Sequence, residues 1–266
     1  MLTVIRHGTA TDLPPLLIAH GLFGSARNWG AIAKRMSDSR AVMAVDMRNH
    51  AGSFHDPCHD YPAMAADLAE VIRAEGKPMD VLGHSMGGKA AMLLALSHPD
   101  LVNRLVIADI APVGYGHSQS HLIDAMRTLD LTGLDSRTEA DRRLSARVED
   151  PQVRAFLLQS LDLKAVPPRW RLNLDALEDQ MDLITGWPAQ TADRLPPYPG
   201  ATLFLSGALS DYVRPEARET IRRLFPQARM AKIPGAGHWL HAEKPREFEA
   251  ALRVFLGPVA DAATQP

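Results

Sequence analysis

Short apolar runs alternate along the chain with segments of helical spacing. Leu2 to Arg6 is a brief apolar run suited to an edge strand, and Leu13-Pro14-Pro15 breaks the chain before the buried run Leu16 to Ala19. Asn28 to Met36 carries Trp29, Ile32, Ala33 and Met36 at helical intervals, and Ala41 to Val45 is the next strand, ending at Asp46. Pro62 to Ala74 reads as an amphipathic helix through Met64, Leu68, Val71 and Ile72. Strands near 79 and 104 flank a further helical stretch that stops at His98-Pro99. Strands near 202 and 229, with helices over Pro215 to Leu224 and Pro245 to Leu256, complete the pattern, and the small polar tail Gly257 to Pro266 reads as frayed.

Strands that alternate with helices at this spacing predict an α/β fold with a mostly parallel sheet covered on both faces. About ninety residues separate Asp109 from Thr202, where one crossover helix needs about a third of that. The surplus predicts an insertion after the strand ending at Asp109. Its apolar residues fall in helix-like clusters divided by Gly133, Pro151 and Pro167-Pro168, and it ends in the hinge Pro196-Pro197-Tyr198-Pro199. The expected organisation is a core domain of residues 1–112 and 200–266, with a helical cap over 113–199 above the C-terminal edge of the sheet.

The chemistry gathers at Gly83-His84-Ser85-Met86-Gly87, where an apolar strand runs into a helix through a tight turn with serine at its apex. This pattern makes Ser85 the candidate nucleophile. A serine hydroxyl needs a base, itself oriented by a third group. His238, in the glycine-flanked loop after the last strand, is the candidate base. His241, three residues on, is expected to be a structural hydrogen-bonder; His50 and His84 are expected to be satisfied structural groups, His20 to shape its loop, and His98 to close its helix. The acid in this architecture usually lies three residues after a glycine that ends the preceding strand. Counting from Gly207, that place holds Ser210, and Asp211 comes one position late. Asp109, at the end of the strand after the serine's helix, is the favoured acid, with Asp211 the alternative. The amides of Leu22 and Met86 are the candidate oxyanion donors, and Phe23 and Trp239 the candidate substrate-pocket walls. Lys89 sits in the first turn of the helix, where the dipole disfavours a cation, so a salt bridge is expected there and no catalytic role.

The sequence offers no metal-ligand or nucleotide-binding spacing, so no metal and no cofactor are expected. Lys and Arg number 29 against 31 Asp and Glu, giving a net charge of -2 without a basic tract. That balance argues against nucleic acid or an anionic membrane as partner. The single cysteine, Cys58, rules out an internal disulfide and suits a reducing compartment. With neither an export pattern at residues 1–20 nor a membrane-length apolar run, the expected setting is the cytoplasm.

With these pieces placed, the chain resembles the α/β-hydrolase superfamily over nearly its whole length. More narrowly it is similar to the YbfF-type esterases and the α/β-hydrolase domain-containing protein 11 group. The resemblance rests on His20-Gly21-Leu22-Phe23-Gly24-Ser25, Asp46-Met47-Arg48-Asn49-His50, Gly83 to Lys89, Asp109-Ile110-Ala111-Pro112-Val113, and Gly235-Ala236-Gly237-His238-Trp239 through His241-Ala242-Glu243-Lys244-Pro245. It implies a triad of Ser85, Asp109 and His238, and esterase activity on small-molecule acyl esters, including thioesters, with short to medium acyl groups. One departure is visible: relatives usually carry glycine after Asn-His, and here Ala51 precedes Gly52. If the position needs a left-handed backbone, Ala51 costs about 1 kcal/mol, or else Gly52 takes the turn. The apolar insertion leads to an expected preference for uncharged acyl chains over large charged substrates. A lactonase or carbon–carbon bond hydrolase with the same triad, or a non-catalytic ligand-binding homologue, are the alternatives.

Overall fold

The computed structural model describes residues 1–258, so the tail expected to fray lies outside the described residues from position 259 onward. The described strands, in chain order, are β1 (Thr3–His7), β2 (Leu16–Ala19), β3 (Val42–Asp46), β4 (Met79–His84), β5 (Val102–Ala108), β6 (Leu161–Asp162), β7 (Arg169–Trp170), β8 (Thr202–Gly207) and β9 (Ala228–Ile233). Seven of them form one sheet in the order β1-β3-β2-β4-β5-β8-β9. The edge strand β1 runs antiparallel to β3, and every other pairing in that sheet is parallel.

Parallel strands buried on both faces read as continuous apolar runs, and β2, β3, β4 and β8 are buried at every position. Because successive side chains point to opposite faces, each strand feeds two cores. Leu17, Ala19, Val81 and Ile107 pack in one cluster with the helices Tyr61–Glu75 and Met86–Ser97. Leu16, Ile18, Leu82 and Val106 pack in the other with the helices Gly30–Met36 and Pro245–Leu256. At the far end of the sheet from Ser85, the buried Asp80 carboxylate accepts from Arg40, Asn103 and Arg104. The same two arginines also donate to the Leu256 carbonyl, which ties the last helix to the sheet.

Strand order reverses around β2. From β2 the chain crosses to β3 on one side and then returns to β4 on the other, so a crevice opens between the C-terminal ends of β2 and β4, where ligands of such sheets bind. The loop His20–Gly24 and Ser85 both emerge there.

Between β5 and β8 the chain leaves the sheet and builds the helices Ser120–Arg127, Arg137–Leu144, Pro151–Leu157, Leu174–Asp179, Met181–Thr185 and Ala189–Ala192. Ser136, Asp150 and Asn173 cap three of these through their side chains. The segment is not wholly helical as expected: β6 and β7 pair antiparallel around Pro167-Pro168, which cannot continue a helix. The chain after β7 docks on the loop that follows β3. The Ala51 amide donates to the Arg171 carbonyl at 2.7 Å, and the Asn173 amide to that of Asn49. Ala51 has φ 47° and Gly52 is not left-handed, so alanine itself occupies the conformation that favours glycine. Among the described residues, no helix is long and apolar enough to cross a membrane.

Candidate active site

Ser85 sits between β4 and the helix Met86–Ser97 with φ 51° and ψ -119°, a conformation that L side chains rarely adopt. The neighbouring glycines make that turn possible. A Cβ on Gly83 would lie 2.3 Å from the Gly87 carbonyl oxygen, and one on Gly87 would lie 2.5 Å from those of Ala19 and His20. The turn leaves the Ser85 hydroxyl facing a cavity of about 310 Å³ whose lining also includes Leu22, Phe23, Met86, His238 and Trp239. All seven candidate site residues except the buried Asp109 therefore line one space.

Asp109 follows β5 in a left-handed backbone, φ 51°, and its carboxylate is fully buried. Such a charge is stable only if its oxygens are satisfied. Oδ1 accepts from the Gly207 amide at 3.0 Å, while Oδ2 accepts from the Ser210 hydroxyl and lies 2.8 Å from His238 Nδ1. With Nδ1 donating to the carboxylate, His238 Nε2 is left as the acceptor edge. Asp211 is exposed and makes no hydrogen bond to the histidine; the structure brings Asp109 to the site and leaves Asp211 outside it. Ser210, at the place where the sequence pattern looks for the acid, donates to the acid instead.

His238 is fixed from three further directions. Its carbonyl accepts from His84 Nε2 at 2.9 Å, the Tyr212 ring stacks on its imidazole at 4.0 Å and 21°, and Glu243 accepts from the flanking amides of Gly237 and Trp239. Ser85 Oγ makes no hydrogen bond to it among the described residues, and catalytic hydrogen bonds of this kind often tighten only when substrate arrives.

The loop after β2 supplies the opposite wall. The Phe23 amide donates to His50 Nε2 at 3.1 Å, and the Gly24 amide to the Gly21 carbonyl. Among the described residues the Leu22 amide has no such partner, and Met86 is the first residue of its helix. Phe23 holds φ 63° and its carbonyl accepts from Ser160 Oγ. His20, which also lines the cavity, and His50 shape this loop. His20 joins the Gly21 carbonyl through Nδ1 and accepts from the Met47 amide, and His50 Nδ1 donates to the Arg48 carbonyl. Burial pushes these two imidazoles down to about 4 and about 3, so both are neutral bases with fixed tautomers.

Two expectations about polar residues change. Among the described residues His241 is a stacking group and makes no side-chain hydrogen bond: its ring lies 4.1 Å from Trp29 at 13°, its Nδ1 is buried without a partner there, and burial pushes it down to about 3. Lys89 has no carboxylate within salt-bridge distance among the described residues. Its ammonium donates to the carbonyls of Thr185 and Gly186 and lies 4.7 Å from the Tyr115 ring centre and 5.6 Å from that of Tyr61. Burial alone pushes it down to about 7. Tyr61, Tyr115, His117 and Tyr212 also line the cavity. They come from three segments, Tyr115 and His117 sharing the one after β5, and no local spacing marks them. Among the described residues, no group of three His, Cys, Asp or Glu side chains could hold a metal ion.

A family model described as alpha/beta hydrolase fold matches residues 14–245. The mouse protein named sn-1-specific diacylglycerol lipase ABHD11 is 44% identical over 258 residues, covering 94% of this chain and 82% of the relative. Esterase YbfF of Escherichia coli (strain K12) is 38% identical, covering 91% and 92%. A solved structure titled marine microorganism esterase superposes with a TM-score of 0.89 at 36% identity, covering 96% of this chain and 98% of the other.

Proposed function

This chain belongs to the α/β hydrolase family and is a carboxylesterase-type enzyme; on that premise we propose that it cleaves esters and thioesters of short to medium acyl groups through Ser85, His238 and Asp109. Ser85 Oγ attacks the acyl carbonyl as His238 Nε2 takes its proton. The amides of Leu22 and Met86 receive the charge that develops on the carbonyl oxygen, each removed donor costing roughly 10²–10³ in rate. Collapse of the tetrahedral intermediate breaks the ester bond, and the imidazolium gives its proton to the departing alcohol or thiol. Water, deprotonated by the same imidazole, then attacks the acyl-serine, releases the acid and returns the proton to Oγ. Asp109 holds the ring in the tautomer that makes Nε2 the acceptor and stabilises the imidazolium.

The observation that carries this reading is the contact between Asp109 Oδ2 and His238 Nδ1 at 2.8 Å, with Ser85 lining the same cavity as the imidazole. Residues 113–199 then act as a cap over a core of residues 1–112 and 200–266. Phe156 of that cap, 5.5 Å from the Trp239 ring, closes one wall of the acyl pocket, with Phe23 on another. The printed name of the mouse relative, a diacylglycerol lipase, supports an acyl ester of an alcohol as the substrate class. One cysteine in 266 residues accords with a reducing compartment, the cytoplasm. The test is hydrolysis of p-nitrophenyl butyrate by the purified protein. Ser85→Ala should lower kcat by at least about 10³-fold; a variant as active as the parent would refute the assignment.

A further inference from the structure

Lys89 is one helical turn beyond Ser85, about 6 Å along the axis, and is 1% exposed. Lysine is almost never so buried without a paired charge. An ammonium has three N–H donors, and here two of them meet the carbonyls of Thr185 and Gly186. The walls beside it are the rings of Tyr61 and Tyr115, and the residue lines the same cavity as Ser85. No acidic residue occupies the first turn of its helix, so the helix dipole adds to the positive potential of the ammonium instead of being offset. Among the described residues, two carbonyls and two rings are its partners and no carboxylate is, which leaves a third donor and a place for a countercharge inside a space that opens to the serine.

We propose that Lys89 is the recognition site for a carboxylate at the far end of the acyl group, so that the preferred substrates are monoesters or monothioesters of short dicarboxylic acids. The inference rests on the assignment of Ser85 as the nucleophile and adds the acyl class to it. An acyl chain entering with its carbonyl at Ser85 and running along the helix toward Tyr61 and Tyr115 brings its terminus to the ammonium. A carboxylate there supplies the missing acceptor and the missing countercharge together, in a low-dielectric setting where a charge-assisted hydrogen bond is strong. An uncharged chain of equal length leaves both unmet. The expectation of a preference for uncharged chains came from the apolar residues of the insertion and took no account of where this lysine points.

The experiment measures kcat/KM for the p-nitrophenyl monoesters of succinic, glutaric and adipic acids beside the butyrate, valerate and hexanoate of matching length, with spontaneous hydrolysis subtracted. The wild-type protein should prefer the carboxylated ester by at least tenfold in one or more of the three pairs. Lys89→Met should lower that ratio at least tenfold. A wild-type preference for the uncharged ester in every pair overturns the proposal without any variant having to fold. So does a Lys89→Met protein that slows both members of a pair equally, which is the signature of a purely structural lysine. If none of the six esters is cleaved in a Ser85-dependent way, the parent assignment fails with it.

Discussion

Ser210 and His238 donate to the same oxygen of Asp109. The hydroxyl comes from the loop after β8 and the imidazole from the loop after β9, so two neighbouring strand ends converge on a carboxylate rooted at a third, β5. With the Gly207 amide on the other oxygen, the buried charge has three donors. A hydrogen bond to a charged group contributes about 1.5–3 kcal/mol. Ser210→Ala should therefore loosen Asp109 and lower kcat about tenfold with little change in KM, measured on p-nitrophenyl butyrate.

The same geometry separates the two aspartates that the sequence offers. Asp109→Asn presents a neutral amide to Nδ1, favours the wrong tautomer and should lower kcat by up to about 10⁴-fold. Asp211→Asn changes an exposed side chain and should stay within about threefold of the parent. Steady-state kinetics of the two variants side by side checks both expectations.

Ala51 holds φ 47°, in the region that favours glycine, and its amide is anchored to the Arg171 carbonyl. Left-handed backbone costs a residue with a Cβ about 1–2 kcal/mol, partly offset by the larger entropy glycine loses on folding. Ala51→Gly should stabilise the protein by about 1 kcal/mol, read as a raised urea midpoint at unchanged slope.

Acid should unfold this protein through its buried imidazoles. Burial pushes His20, His50, His59 and His241 down to about 4, 3, 2 and 3, each from an ordinary value of 6.5. The unfolded chain protonates them first, so their contribution is fully present above about pH 6.5 and is lost as pH falls toward the folded values. Each such histidine removes about 1.4 kcal/mol per pH unit in that window. Lys89, pushed down from 10.5 to about 7, adds a shallower loss above pH 7, so urea unfolding at pH 8, 6 and 5 should give a decline that steepens below 6.

Much of this was legible because parallel strands buried on both faces are continuous apolar runs, and the sequence shows them near 16, 41, 79, 104 and 202. The glycines around Ser85 were legible for an equally direct reason: a side chain at position 83 or 87 would collide with neighbouring backbone. Asp109 could be favoured from its place at a strand end, but only contact geometry separates it from Asp211. Lys89 was misjudged because a cation in a helix's first turn suggests a nearby carboxylate, whereas its partners are carbonyls nearly a hundred residues away. The stack of Tyr212 on His238 and that of His241 on Trp29 likewise join distant segments, and no local pattern encodes them. The β6–β7 pair is two residues per strand, too short for an alternation to register.

The most direct measurement is mass spectrometry of the protein after treatment with a fluorophosphonate, which reacts only with a serine that a neighbouring base has activated. The account predicts one stoichiometric adduct, carried by the peptide containing Ser85 and lost both in Ser85→Ala and in His238→Ala. An unlabelled Ser85 in a protein that still hydrolyses p-nitrophenyl butyrate, or an adduct on another residue that abolishes that activity, would contradict it.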